Sequence, residues 1–488
     1  MAENKNRRVG DNRWLLGTLM LSALRCCINT IYGDKMIRIS VRSVLLASAI
    51  AMSTATTAFA DSHWATATTT FPGSIRAGSR EVPVKPGDKT AITIKNLPAG
   101  ATVTVLNGAE VLTPQPLTAD GTGKLSIPLT VPADAETGLH PLTVITQNPA
   151  SVSQVMLKLS GIVPPKNTDA FRLQTAPVGE RAYQSALSAD GQLFVTSARG
   201  PKDGSRLLSL NAGMLAVEAE AVLPKDKKGE QIGVFGVGVD NAHEHVWTTN
   251  TLAGTVTVYD AKTLSVVKVF PEDSVSHPRD VIIDEAHNRA YVSAALTGFI
   301  EVYDTRTLEH IGQMEFVADR GRDQFYSTGL ALDSAGGKLY GVSRDTPWVG
   351  WIDLKTGKST TVKIPQAKGA TGIARDPKTG RLYVVSQETN NVVVLDANGK
   401  VLADTCIGAG GVSVVWDAVT SQVYAATRAG GTVAVLDRDG KLVANIPMNN
   451  TPNHLTIAPD GTVYLVSMYG TGGDKLQTGS VTKIMLGK

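Results

Sequence analysis

Seven stretches of this chain repeat one pattern, and that repetition restricts the fold more than any other feature. SALSADGQLFVTSA, GVGVDNAHEHVWTTN, DVIIDEAHNRAYVSA, GLALDSAGGKLYGVS, GIARDPKTGRLYVVS, SVVWDAVTSQVYAAT and LTIAPDGTVYLVSM each set a short apolar strand before an aspartate-led turn and a second strand with an aromatic residue. The turn aspartates are Asp190, Asp240, Asp284, Asp333, Asp376, Asp417 and Asp460, spaced 50, 44, 49, 43, 41 and 43 residues apart. That period is the length of a four-stranded propeller blade.

The registration inside each repeat is tighter than the period. Trp247, Tyr291, Tyr340, Tyr383 and Tyr424 follow their aspartates by seven residues, while Phe194 and Tyr464 follow by four, where an Asp-Gly pair predicts a two-residue hairpin. Third strands come next at VTVYD (256–260), IEVYD (300–304), VGWID (349–353), VVVLD (392–396) and VAVLD (433–437), all ending in aspartate. A carboxylate at that place caps the backbone amides of a turn into a fourth, outer strand. A metal needs several ligands at one point, whereas these acids recur at equivalent points of separate units, so they read as turn structure. The last repeat stops after its third strand, Val481 to Met485, and FRLQT (171–175) stands unassigned before the first. The expectation is a ring closed by that upstream strand, which hides the edges an open sheet would leave.

From Asp61 to about Gly161 the repeat is absent and alternating strands take its place: TAITIKN (90–96), ATVTVLNG (101–108), KLSIPLTVP (124–132), LHPLTVITQ (139–147) and SVSQVMLKLSG (151–161). About a hundred residues with closely spaced turn signals fit a β-sandwich. IVPPKNTD (162–169) reads as a short semi-rigid linker, and 170–488 as the propeller. The fold class is therefore all-β, a seven-bladed β-propeller preceded by an Ig-like β-sandwich.

The first sixty residues read as leader. From Met36, Arg38 and Arg42 form a basic n-region, Val44 to Met52 an apolar stretch, and Ala58-Phe59-Ala60 a cleavage signal, which predicts a signal peptide over 36–60 and a mature chain from Asp61. Residues 1–35 then read as an upstream extension from a misplaced start codon, and Trp14 to Leu24 is too short to span a membrane. Removing the eight basic and three acidic residues of 1–60 turns a net charge of +3 into −2, with 39 Lys and Arg against 41 Asp and Glu. A near-neutral mature chain has no strong general attraction for phosphate backbones, and no transmembrane segment is expected in it. Cys26 and Cys27 fall in the leader, so Cys406 stands alone and no intramolecular disulfide is expected; it reads as a small buried residue.

HPRDVIIDEAHNRAYVSA (277–294), STGLALDSAGGKLYGVS (327–343) and TPNHLTIAPDGTVYLVSM (451–468) resemble the YVTN repeat, and the segment from about Asp169 to Lys488 resembles the YncE-type periplasmic propellers of Gram-negative bacteria. TADGTGKLSIPLTVPADAETGLHPLTVI resembles bacterial Ig-like modules, an addition to the simplest members of that family. The resemblance implies a periplasmic location and no established catalysis, with DNA association reported in the family.

No G-x-S-x-G, H-E-x-x-H, C-x-x-C-H or Walker A sequence occurs, and no cofactor is expected. His243 and His245 have the alternate spacing that puts two rings on one strand face, but they fall at a turn. Aligning the repeats places Tyr183, Phe235, Arg279, Thr328, Thr371, Val412 and Asn453 at the start of the inner strands, with His277, Tyr326 and His454 adjacent. This channel mouth is the candidate ligand site; the same residues also suit the plain lining of a solvent channel. The leading expectation is an exported, non-enzymatic binding or scaffolding protein with a protein or small ligand at a propeller face. One alternative is a propeller enzyme, a lactonase-like hydrolase or cofactor-dependent dehydrogenase, disfavoured because the aligned channel holds no acid. The other is nucleic-acid binding, for which only Pro224-Lys225-Asp226-Lys227-Lys228 offers local basic density.

Overall fold

The computed structural model describes residues 70–79, 82–200, 204–448, 450–470 and 478–487. The leader readings over 1–35 and 36–60 lie outside them. Seven four-stranded antiparallel sheets follow one another along the chain, and the first six take their strands in sequence order from the inside outward. The inner strands are Ala182–Leu187, Val237–Asp240, Pro278–Asp284, Ser327–Asp333, Ala370–Arg375, Gly411–Asp417 and Asn450–Ile457. The seventh sheet takes its outer strand from Phe171–Gly179, which pairs with Gly479–Leu486 in a register that sets Thr175 opposite Thr482. The ring closes as the chain ends predict.

The repeat aromatics hold neighbouring blades together. Phe194, Trp247, Tyr291, Tyr340, Tyr383, Tyr424 and Tyr464 are all buried. Each belongs to a cluster that joins its own blade to the next: Tyr383 packs with Val414 and Val423, and Tyr464 packs with Ala182 and Leu193 of the first blade. A large side chain at the same place in every unit therefore fills the wedge between units. Glycine serves the narrower contacts. A Cβ on Gly236 would stand 2.2 Å from the carbonyl oxygen of Arg279, so only glycine lets the second and third blades approach there.

The five third-strand aspartates cap as expected. Asp260 Oδ1 accepts from the amides of Lys262 (3.1 Å) and Thr263 (2.8 Å), Asp304 Oδ1 from Arg306 and Thr307, and Asp353 Oδ1 from Thr356. Asp396 and Asp437 do the same for the amides of Lys400 and Lys441. The two Asp-Gly turns differ from expectation. Ser188 N donates to Gln192 O and Ala458 N to Thr462 O, which makes three-residue loops, with Gly191 and Gly461 both at φ 86°. A type I turn followed by a left-handed residue needs that glycine.

The N-terminal strands form two sheets around one core. Ser74–Ala77, Lys89–Lys95 and Leu125–Thr130 make the first; Thr102–Asn107, Gly138–Gln147 and Ser151–Leu159 make the second, with short strands at Glu110–Val111 and Leu117–Thr118. Ile92, Ile94 and Ile127 of one sheet meet Val103, Val144 and Leu157 of the other.

Residues 162–169 do not hang free. Lys166 exchanges two backbone hydrogen bonds with Asn445 on the outer strand of the sixth blade, and Asn445 Nδ2 donates to Val163 O at 2.9 Å. Nearby, Asn390 Nδ2 donates to Ser160 Oγ and Lys158 Nζ donates to Gln387 O, in surroundings whose burial pulls the lysine pKa down to about 8. Cys406, expected to be buried, is exposed. It ends the outer strand Val401–Cys406, whose alternation turns Leu402, Asp404 and Cys406 outward. Among the described residues no helix is long and apolar enough to cross a membrane.

Candidate ligand site in the central cavity

All seven inner strands converge on one cavity of about 500 Å³. Six of the ten residues expected at the channel mouth stand on its wall: Tyr183, Arg279, Thr371, Val412, Asn453 and His454. Phe235 sits behind Tyr183, ring edge to face at 5.5 Å. Thr328 is wholly buried and its hydroxyl donates to the carbonyls of Val342 and Ala370, so it ties the fourth blade to the fifth instead of facing the cavity. The hydroxyl of Thr371 makes the same kind of bond, to Val412 O at 3.1 Å. His277 and Tyr326 precede their strands: His277 is exposed with φ 55°, and the Tyr326 hydroxyl donates to Gln324 Oε1.

The polar equipment of the cavity is more charged than the alignment implied. Arg279 Nη1 donates to Thr371 O at 3.2 Å. Arg428, one residue past the second strand of the sixth blade, donates through Nη2 to Asn453 Oδ1, and Asn453 Nδ2 in turn donates to Tyr183 O. Asp280 also lines the wall, which corrects the expectation of a channel without acids. Its carboxylate accepts from Leu330 N at 3.0 Å and Val281 N at 3.2 Å, with Gln184 adding a side-chain hydrogen bond, while burial pushes its pKa up against those contacts and Arg279. His454 Nδ1 accepts from Ser185 N at 3.3 Å. Burial, reinforced by the Arg279 charge, pulls the His454 pKa down to about 3, so the ring is neutral with its proton on Nε2.

Arg428 and Asp280 escaped the sequence reading for identifiable reasons. Arg428 comes from the connection after the second strand, outside the first-strand positions that the repeat brings to the axis. Asp280 was lost to a β-bulge: register shifts interrupt the inner strands between Ala182 and Ser185, Pro278 and Val281, Ser327 and Leu330, and Pro452 and His454. A bulge breaks the strict in-and-out alternation, so Arg279 and Asp280 both reach the wall. Of the histidines at 243 and 245, only His243 has a side-chain partner at the turn, and His245 Nδ1 is buried without one among the described residues. His243 Nδ1 lies 2.8 Å from Asp240 Oδ2, and the His243 and His245 rings stack at 6.3 Å.

Comparison with solved structures supports the ring. A U3-55K structure and the RRP9 WD40 repeats both align at TM-score 0.53 and 11% identity, covering 66% and 67% of this chain and all of theirs. The fold is thus of the WD40 propeller type. Hydrazine synthase from Kuenenia stuttgartiensis aligns over 59% of this chain and 93% of its own at 17% identity and TM-score 0.49. No protein-family model matches the sequence, and no curated protein matches it.

Proposed function

We propose that this chain is an exported, non-enzymatic binding or scaffolding protein whose propeller presents one face, and the mouth of its central cavity, to a partner. The observation that carries this reading is the closed ring: seven wedged blades with the last sheet completed from upstream make one frame. WD40-type likeness supports an interaction role at the level of fold alone. Export is supported by the leader from Met36 to Ala60, and a periplasmic location by the YncE-type resemblance of the repeats. In this reading 36–60 is a cleaved signal peptide, 61–161 an Ig-like module, 162–169 a connector and 170–488 the propeller.

The module would act as a spacer or second contact, in keeping with the bonds that fasten Lys158, Ser160 and Lys166 to the fifth and sixth blades. Mild crosslinking of the tagged mature chain in periplasmic extract tests the proposal. A reproducible protein adduct that disappears in a His277→Glu, Tyr326→Glu variant supports docking at the mouth. Failure to retain any protein counts against a scaffold.

A further inference from the structure

We propose that the central cavity is a binding site for a small organic anion, a carboxylate or phosphate head on a short apolar body, gripped by Arg428 and Arg279. This goes beyond the protein-docking reading and does not depend on it. Five other arginines of the blades are paired with acids. Arg206, Arg289, Arg375, Arg381 and Arg438 each reach a carboxylate, with Glu220, Asp304, Asp333, Asp439 and Asp376 at 2.6 to 3.0 Å. Arg428 and Arg279 have no such partner among the described residues.

Their surroundings offer them little else. Arg428 is enclosed by protein, yet part of its surface faces the cavity. Among the described residues it has one hydrogen bond, to the Asn453 side chain, and its Nε is buried with no acceptor. Arg279 is close enough for the two positive charges to oppose each other. Asp280, the one carboxylate among the described residues that line the cavity, attracts Arg279 but is also engaged by two backbone amides and Gln184. His454 is neutral and contributes no charge. An unpaired guanidinium held inside a protein is costly, and removing such charges from a fold is often stabilising. Two guanidinium groups around a hollow that holds one carboxylate, with Arg279 bonded among the described residues only to the Thr371 carbonyl, are the arrangement that recognises an oxyanion, because the planar fork donates two parallel hydrogen bonds.

The hollow suits a small molecule. Its volume of about 500 Å³ lies within the range of small-ligand sites. Val237, Val281, Leu330 and Ile373 supply apolar wall from four blades, which suits an apolar body attached to the anionic head.

Calorimetric titration of the mature chain with benzoate, phenyl phosphate and benzamide tests the site, since the three share a ring and differ in the head. Saturable binding of one or both anions is expected, with neutral benzamide at least about tenfold weaker; which anion binds more tightly tells a carboxylate site from a phosphate site. Arg428→Gln is expected to weaken the anion at least about tenfold while leaving the melting temperature of the ligand-free protein unchanged or higher. Arg428→Lys, which keeps the charge and loses the fork, should fall between. The proposal is overturned if neither anion binds saturably, or if Arg428→Gln binds like the wild type. It is equally overturned if Arg428→Gln lowers the ligand-free melting temperature and Arg428→Lys restores it, which would make the arginine structural. Should Arg428→Gln fail to fold, Arg279→Gln and Arg428→Lys carry the same comparison. Protein capture without anion binding would sink this site alone, and anion binding without capture would sink the scaffold alone.

Discussion

Asp240, Asp284, Asp376 and Asp417 sit in the first turn of their blades with almost no surface open to solvent, and each takes a bond from the residue three places on. In the second and third blades that donor is a histidine, with His243 at 2.8 Å and His287 at 2.9 Å; in the fifth and sixth it is the hydroxyl of Thr379 or Thr420. The same slot filled by two chemistries marks a turn cap, and it accounts for His243 in NAHEHVW. Asp376 also meets Arg438 Nε at 3.0 Å. Replacing it with alanine strands a half-buried guanidinium and a turn, so Asp376→Ala is expected to cost about 2–4 kcal/mol in urea unfolding, with Asp376→Asn costing less. His454 makes a pH prediction. Its folded pKa is depressed to about 3 against an unfolded value near 6.5, so the unfolded chain takes up the proton first. Its contribution is fully present above pH 6.5 and is lost as pH falls from there toward 3. The imidazole signal of His454 should stay unshifted from pH 8 to 4.5 in NMR, and His454→Gln should make stability less sensitive to acid over that range. A ring that titrates near 6.5 in the folded protein would contradict the buried, neutral assignment.

Among the elements, the second strands carry the interblade aromatics. Tyr383 stacks on Trp416 of the next blade at 5.3 Å, and its hydroxyl donates to Arg438 O at 3.0 Å. Tyr383→Ala is expected to lose about 3–5 kcal/mol by thermal or urea unfolding, as for other fully buried aromatics, whereas Tyr383→Phe should lose only the hydrogen bond, about 1 kcal/mol. Elements of this kind were legible in the sequence because their pattern repeats: a strand, an acid and an aromatic at fixed spacing leave few alternatives. All five strands expected in the N-terminal sandwich are present, from Lys89–Lys95 to Ser151–Leu159. The strands Ser74–Ala77, Glu110–Val111 and Leu117–Thr118 lie outside the expected set, because two to four residues carry little alternation to detect. The site was legible only in part, for physical reasons. Bulges at the inner-strand starts shift which side chains face the axis, and Arg428 lies outside the repeated motif altogether. The connector at 162–169 was read as a spacer because proline suggests stiffness, while its fastening to Asn445 depends on a strand almost three hundred residues away.

At the scale of the whole molecule, one long-range pairing governs the rest. The blades stack through wedge contacts, and the ring is complete only where Phe171–Gly179 pairs with Gly479–Leu486 and Tyr464 meets Ala182 and Leu193. A closed ring makes the cavity a fixed hollow, so both the docking face and the anion site depend on closure. Thr175 and Thr482 stand opposite each other with their hydroxyls 2.9 Å apart. Thr175→Cys with Thr482→Cys, in a Cys406→Ser background, tests the closure directly by peptide mass mapping after mild oxidation. The predicted result is a disulfide joining the two peptides within one chain of the folded monomer. A folded monomer with both thiols free, or with links only between molecules, would contradict the closed seven-bladed ring.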